Sequence, residues 1–153
     1  MSYMSASPIY TVDSNIFLYA LDVRDPVKHG IALRVMTSLV RQQGSIPLQC
    51  LSESYAVCAK KPIVALSKAR MSIMAAQTSL NIIPAAAIDI SIAIDLHDKH
   101  RLQFFDALLL ATASRTGCNI LLSEDMQDGQ SFGSITVRNP FAMNTAELNA
   151  LIG

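Results

Sequence analysis

The chain has 153 residues, with 12 Lys+Arg against 12 Asp+Glu, and so no formal net charge. Its charged fraction of 16% lies below the roughly 25% of an average soluble protein, and 51% of it is apolar. This balance excludes an intrinsically disordered chain, which needs low hydrophobicity and high net charge, and a protein that grips polyanions through bulk basicity.

In chain order, Met1 to Ser7 has neither a basic region nor an apolar run, so no signal peptide is expected there. Ile9-Tyr10-Thr11-Val12 is a short β-prone run, broken by Asp13-Ser14-Asn15, after which Ile16 to Leu21 reads as helix. Asp25-Pro26 is a helix start, with Asp as N-cap and Pro at the first helical position. Ala32, Leu33, Met36, Leu39 and Val40 continue it at helical spacing, and Gly44 closes it. Ser45 to Leu48 is a weak strand, followed by helices over about 49–60 and 64–79. Asn81-Ile82-Ile83-Pro84 is a third strand, and Ile88, Ile92 and Leu96 mark the next helix. Phe104 to Arg115 is apolar on nearly all sides, which predicts a buried helix ended by Gly117. Asn119 to Leu122 and Ile135 to Arg138 are the last two strands. Asn144 with Glu147 resembles a capping box for a short C-terminal helix over about 144–152.

Five short strands alternating with helices predict an α/β fold, a parallel sheet with helices on both faces. With no linker, repeat or low-complexity tract, 1–153 reads as a single domain whose core spans about 8–141. Cys50, Cys58 and Cys118 are odd in number and form no C-x-x-C pair, which fits reduced thiols in a cytoplasmic protein. No run approaches the ~18 apolar residues of a membrane span. Few charges with much apolar surface predict a partner, a second copy or another chain. The two histidines of His97-Asp98-Lys99-His100 read as basic groups at a helix C-terminus, and the scattered glycines make no phosphate loop.

In parallel sheets, function gathers at the carboxyl ends of the strands. Asp13 follows the first strand and Asp125 follows the fourth. Each also has a structural reading, Asp13 as a helix N-cap and Asp125 as part of an Asp/Gly-rich turn. Asp106 sits in Phe104-Phe105-Asp106-Ala107-Leu108, where a carboxylate must be paired, hydrogen-bonded, metal-bound or neutralised, or serve as a first-turn acid. Glu53 lies roughly opposite Leu51, Tyr55 and Cys58 on a helical wheel and reads alone as a solvated face.

Together these segments resemble the PIN-domain nucleases, and within them the VapC-like toxins of toxin–antitoxin pairs. Val12-Asp13-Ser14-Asn15-Ile16-Phe17-Leu18-Tyr19 is similar to the first acidic motif. Leu51-Ser52-Glu53-Ser54-Tyr55, with Lys60-Lys61 downstream, is similar to the helical Glu motif. The run from Phe105-Asp106 to Ala113 resembles the third motif, with Phe105 where Trp is common. The run from Leu121 to Gln130, ending in Asn139-Pro140-Phe141, resembles the fourth, with Asp128 where His is frequent.

The resemblance implies a PIN-like fold with a parallel five-stranded sheet and one cluster of Asp13, Glu53, Asp106 and Asp125. Four carboxylates repel unless a cation intervenes, and all-oxygen ligation favours Mg²⁺ or Mn²⁺. It further implies a metal-dependent endoribonuclease hydrolysing RNA phosphodiester bonds, with Asn15 and Ser123 as donors supporting the ligands. An RNA substrate, a small antitoxin protein and a homodimer follow as partners. Setting the four acids aside leaves the rest of the chain net positive, with Arg34, Arg41, Lys60, Lys61, Lys68, Arg70, Lys99, Arg101, Arg115 and Arg138 as candidates to touch phosphates. The alternative is a non-catalytic RNA-binding or scaffolding domain of the same fold. A response-regulator-like domain needs an acceptor Asp after the third strand, where this chain has Pro84-Ala85-Ala86-Ala87.

Overall fold

A computed structural model describes residues 8–153; the expectation for Met1 to Ser7 lies outside the described residues. The elements follow one another as β1 (Tyr10–Val12), α1 (Ser14–Leu21), α2 (Pro26–Arg41), β2 (Ser45–Pro47), α3 (Leu48–Lys60), α4 (Leu66–Ser79) and β3 (Asn81–Ile83). Then come α5 (Ala87–His100), α6 (Phe104–Arg115), β4 (Ile120–Leu122), β5 (Ser131–Phe132), β6 (Ile135–Arg138), a 3-10 turn (Pro140–Ala142) and α7 (Thr145–Ile152).

The predicted α/β class holds, and all five predicted strands form. They divide between two sheets rather than one. β1, β4 and β6 are parallel, in the order β1-β4-β6-β5, and β5 is a two-residue antiparallel edge. β2 and β3 form a separate parallel pair. The seam between the sheets is a side-chain bond: the Thr11 hydroxyl donates to the Ser45 carbonyl at 2.7 Å. A polar side chain thus stands where a continuous sheet would have a backbone ladder.

Local chemistry sets the helix ends. Asp25 caps α2 by accepting from the Lys28 amide at 3.1 Å, with Pro26 at the first position. Asn144 caps α7 by accepting from the Glu147 amide at 2.8 Å. At the end of α2, Gln43 rather than Gly44 takes the left-handed conformation (φ 53). Gly44 is required for space instead, since a Cβ there would run into Leu39.

The core joins β1 to α1, α2 and α3 through Val12, Ile16, Val35, Leu39, Ile46 and Cys50. A second cluster, with Leu109, Leu110, Leu121, Ile135 and Val137, lies on the other side of the sheet under α6. Only the middle of α6, Ala107 and Leu109 to Ala113, is buried as expected: Phe105 in its first turn is 56% exposed, and Arg115 at its end is exposed too. Asp106 lies in that first turn, close enough to Asp13, Glu53 and Asp125 for their charges to act on one another. The three thiols are free and buried, and among the described residues no helix is long and apolar enough to cross a membrane.

Candidate functional site

The parallel register builds the floor of the site. Val12 is level with Leu122, and Leu122 with Arg138, so Asp13 and Ser123 emerge side by side where β1 and β4 end. The Asp13 amide extends the ladder by one bond to the Leu122 carbonyl at 2.9 Å. Ser123, wholly buried, then donates from its hydroxyl to Asp13 Oδ2 at 2.8 Å. Asp13 is at once the N-cap of α1, accepting from the Ser14 amide at 2.7 Å. The N-cap reading of this residue therefore holds, and the cap fixes where the carboxylate points.

The first turn of α1 connects Asp13 to its neighbours. The Ser14 hydroxyl donates to Glu53 Oε2 at 3.1 Å, which turns the half-buried Glu53 from α3 toward the strand ends. Gln49, one turn earlier on α3, donates to Glu53 Oε1 at 2.8 Å and to the Phe105 carbonyl at 2.9 Å, so one amide ties α3 to the start of α6. Asn15 Nδ2 reaches Asp125 Oδ2 at 3.0 Å, Ser123 Oγ at 3.3 Å and Asp13 Oδ2 at 3.5 Å. Asp125 itself is exposed, and its amide donates to Ser123 Oγ at 3.2 Å. Asp106 is half-buried, and its carboxylate has no hydrogen-bond donor among the described residues.

Charge in this cleft is uncompensated. Among the described residues the acids with cationic partners are Asp22, Asp89, Glu124, Asp128 and Glu147. None of Asp13, Glu53, Asp106 and Asp125 has one. Burial pushes the Asp13 carboxyl up to about 6, against the hydrogen bonds from Ser123 and Ser14 and with the help of the negative charges of Asp106 and Asp125. Asp106 is raised as well, by burial first and then by the charges of Asp125 and Glu53. Burial, followed by the charges of Asp13 and Glu53, also raises the Cys50 thiol, which stays protonated and inert. The four acids thus share one field; Ser14 links Asp13 to Glu53 and Asn15 links Asp13 to Asp125 by hydrogen bonds, while Asp106 joins them through charge alone. As the side chains stand, no three acidic, His or Cys residues among those described are gathered closely enough to hold an ion together.

Three residues of this network were not among the candidates read from sequence. Ser14 carried a signal, since it lies inside the first motif. Gln49 lies one helical turn before Glu53, the spacing at which side chains meet. Lys28, whose ammonium lies 2.8 Å from Glu124 Oε2, gave no sign, because 96 residues separate the two.

Several other expectations are resolved. Asp128 Oδ1 accepts from Arg138 Nε at 3.2 Å and from the Asn139 amide at 2.9 Å, so this residue clamps the turn after β6. Of the basic candidates for phosphate contact, Arg115 is bound to Asp89, Arg138 to Asp128 and Glu147, Arg34 to Asn149, and Arg41 to the C-terminal carbonyls. His97 binds the Leu102 carbonyl and His100 packs edge-on against Phe132, so the pair serves the helix end.

The model of the PIN domain matches residues 10–127 of the chain. Among solved structures, Mycobacterium tuberculosis VapC20, a sarcin–ricin loop cleaving toxin, is 18% identical with a TM-score of 0.62, over 76% of this chain and 91% of that one. VapBC2 from Rickettsia felis, bound to a DNA fragment from their promoter, is 15% identical with a TM-score of 0.64, over 86% and 98%. A toxin–antitoxin complex from Klebsiella pneumoniae is 19% identical with a TM-score of 0.60, over 86% and 97%. At such identities the likeness is one of fold. No curated protein sequence matches the chain significantly.

Proposed function

The chain belongs to the PIN-domain family, and from that premise we propose that it is a divalent-metal-dependent endoribonuclease, the toxin of a toxin–antitoxin pair. The observation that carries this reading is the cleft of four carboxylates without a cationic partner, one of them buried and held at about 6. A protein that needed Asp13 only as a helix cap would not surround it with three further acids.

The donor set fits a hard cation: it is all oxygen and carries surplus negative charge. Asp13, Asp106, Asp125 and Glu53 would hold Mg²⁺ or Mn²⁺. When bound, such an ion polarises a phosphoryl oxygen and lowers the pKa of a coordinated water. The protein's own part is placement. Ser123 and the Ser14 amide take up the two oxygens of Asp13. Asn15 holds the exposed Asp125 to the floor, and Ser14 with Gln49 aims Glu53. The raised Asp13 and Asp106 predict a cleft that loses charge, and with it cation affinity, as pH falls through about 6.

RNA as substrate, a small antitoxin, a homodimer and a cytoplasmic location belong to the same reading. Exposed apolar side chains support a partner: Ile88, Ile90, Ile92 and Ile94 on α5 are 40–57% exposed. Antitoxin-bearing complexes among proteins of similar fold support the same.

The test is RNA cleavage by purified protein, with new 5′ ends mapped after inducible expression. Asp13→Asn and Asp106→Asn are expected to fold and to lose at least about a hundredfold in rate, since even residues that only support a ligand cost 10–100-fold. EDTA should stop the wild type and Mg²⁺ or Mn²⁺ restore it. Undiminished cleavage by either variant, or turnover without metal, would refute the assignment. One observation favours a second reading, a non-catalytic RNA-binding or scaffolding domain: no three of the acids converge as they stand. Metal-independent RNA binding without cleavage would select it.

A further inference from the structure

Of the four acids, Asp125 is the one that is exposed and carried on a loop. Its own contacts to the floor are a side-chain bond from Asn15 and an amide bond to Ser123. The residue before it, Glu124, is tied to a different part of the molecule. Lys28, in the first turn of α2, places its ammonium 2.8 Å from Glu124 Oε2 and 3.4 Å from the Tyr19 hydroxyl. The same ammonium lies 4.9 Å from the centre of the Tyr19 ring and 5.3 Å from that of Phe141. The two rings meet edge to face at 5.1 Å. Lys28 and Glu124 are largely covered, at 33% and 20% side-chain exposure. A cation beside two aromatic rings, in reach of a phenol oxygen and paired with a carboxylate, with water partly excluded, is held better than one in an exposed surface pair. From Glu124 the chain of contacts returns to the cleft: its amide lies 3.5 Å from Asn15 Oδ1, and Asn15 Nδ2 holds Asp125.

We propose that Lys28, caged by Tyr19 and Phe141, is a positioning residue that holds the Glu124–Asp125 arm and the Asn15 amide in register with Asp13. This rests on the nuclease reading for its consequence, though not for its geometry. It also gives Phe141, in the Asn139-Pro140-Phe141 tail, a physical role, since the 3-10 turn brings its ring over the ammonium.

Lys28→Met keeps the aliphatic stem and removes the charge; Lys28→Arg keeps the charge. In the metal-free, ¹⁵N-labelled protein, Lys28→Met should shift the Asn15 side-chain amide and the Asp125 backbone amide, and Lys28→Arg should move both back toward wild type. Mn²⁺ affinity, titrated calorimetrically, should weaken about tenfold in Lys28→Met, and kcat for RNA cleavage should fall by a similar factor with KM unchanged. Glu124→Gln should behave alike, and the double variant should be no worse than either single one, as expected of two halves of one contact. Unmoved Asn15 and Asp125 resonances, or losses that merely follow the unfolded fraction, would overturn the proposal. If the wild type neither binds Mn²⁺ nor cleaves RNA, the nuclease reading falls. The amide resonances then still decide whether Lys28 holds the arm.

Discussion

Asp13, at the end of β1, and Asp89, in the first turn of α5, are both withdrawn from water, at 4% and 0% exposure. Around Asp89 the protein supplies everything a buried carboxylate needs. Arg115 Nε donates at 3.0 Å to both oxygens, the Ala86 amide at 2.8 Å and the Thr112 hydroxyl at 3.3 Å. Burial pushes that carboxyl up, but Arg115 and the Ala86 amide more than offset it, and it lies below the usual range. Around Asp13 there are hydroxyl and amide donors but no cation, and two further carboxylates act on it. The α5–α6 pair uses its buried acid for cohesion; the cleft holds one in a state that costs stability. A site selected for stability alone would have been built like the first, which is why the second reads as functional.

Activity should separate the two most. Asp13→Asn is expected to abolish cleavage, while Asp89→Asn should turn over like wild type per folded molecule. Equal losses in both would erase the distinction between cleft and hairpin. Stability should separate them in the opposite sense. Asp89→Ala strands Arg115 and an amide, and is expected to cost about 3 kcal/mol, the low end for a broken buried pair because Arg115 is partly solvated. Denaturant unfolding measures it.

Asp13→Asn, by contrast, should stabilise the metal-free protein by about 2 kcal/mol at neutral pH, since it removes a carboxylate whose folded value is raised and Asn still serves as a cap. The sign follows from proton binding. Between about pH 4, where an unfolded Asp titrates, and about 6, where Asp13 does, the folded state holds the extra proton. The wild type therefore loses stability as pH rises through that window, and the advantage of Asp13→Asn grows with it and disappears below about pH 4. Asp89 has the reverse sign: its contribution is present above the unfolded value and lost as pH falls below about 4. Melting curves from pH 3.5 to 8 on both variants test the pair of slopes. A destabilised Asp13→Asn at pH 7.5 would contradict the charge assignment.

How much of this was legible in sequence depended on the distance over which each feature acts. Asp25-Pro26 and Asn144 with Glu147 are local, and the helices start there. The strand–helix alternation is legible as well, because each short β-prone run and each helical period is local; the spatial order β1-β4-β6-β5, with β2 and β3 apart, is not. Features that depend on meeting across the fold did not show. Arg115 looked like a phosphate contact, whereas its bond to Asp89 crosses from α5 to α6. The split of the sheet, bridged by one threonine hydroxyl, has no local signature, and β5 is too short to leave a pattern. Glu53 looked solvated because the Ser14 hydroxyl that turns it inward comes from another helix.

Asp128 makes the smallest and most discriminating case. Chain order places it three residues beyond Asp125, and its charge could have added to the acidic field. The contacts say otherwise: Arg138 faces it, and its oxygen also holds the Asn139 amide. It is therefore a modest, exposed version of Asp89 rather than an extension of Asp13. Asp128→Asn keeps both acceptor bonds and removes only a surface charge pair, so stability should change by no more than about 0.5 kcal/mol. Asp128→Ala strands the Asn139 amide near the surface and should cost about 1 kcal/mol. Cleavage and Mn²⁺ affinity should stay within about twofold of wild type in Asp128→Asn, since a two-fold change is only about 0.4 kcal/mol of coupling. A loss on the scale of Asp13→Asn would place Asp128 within the acidic field and move the boundary between the cleft and its supporting turn.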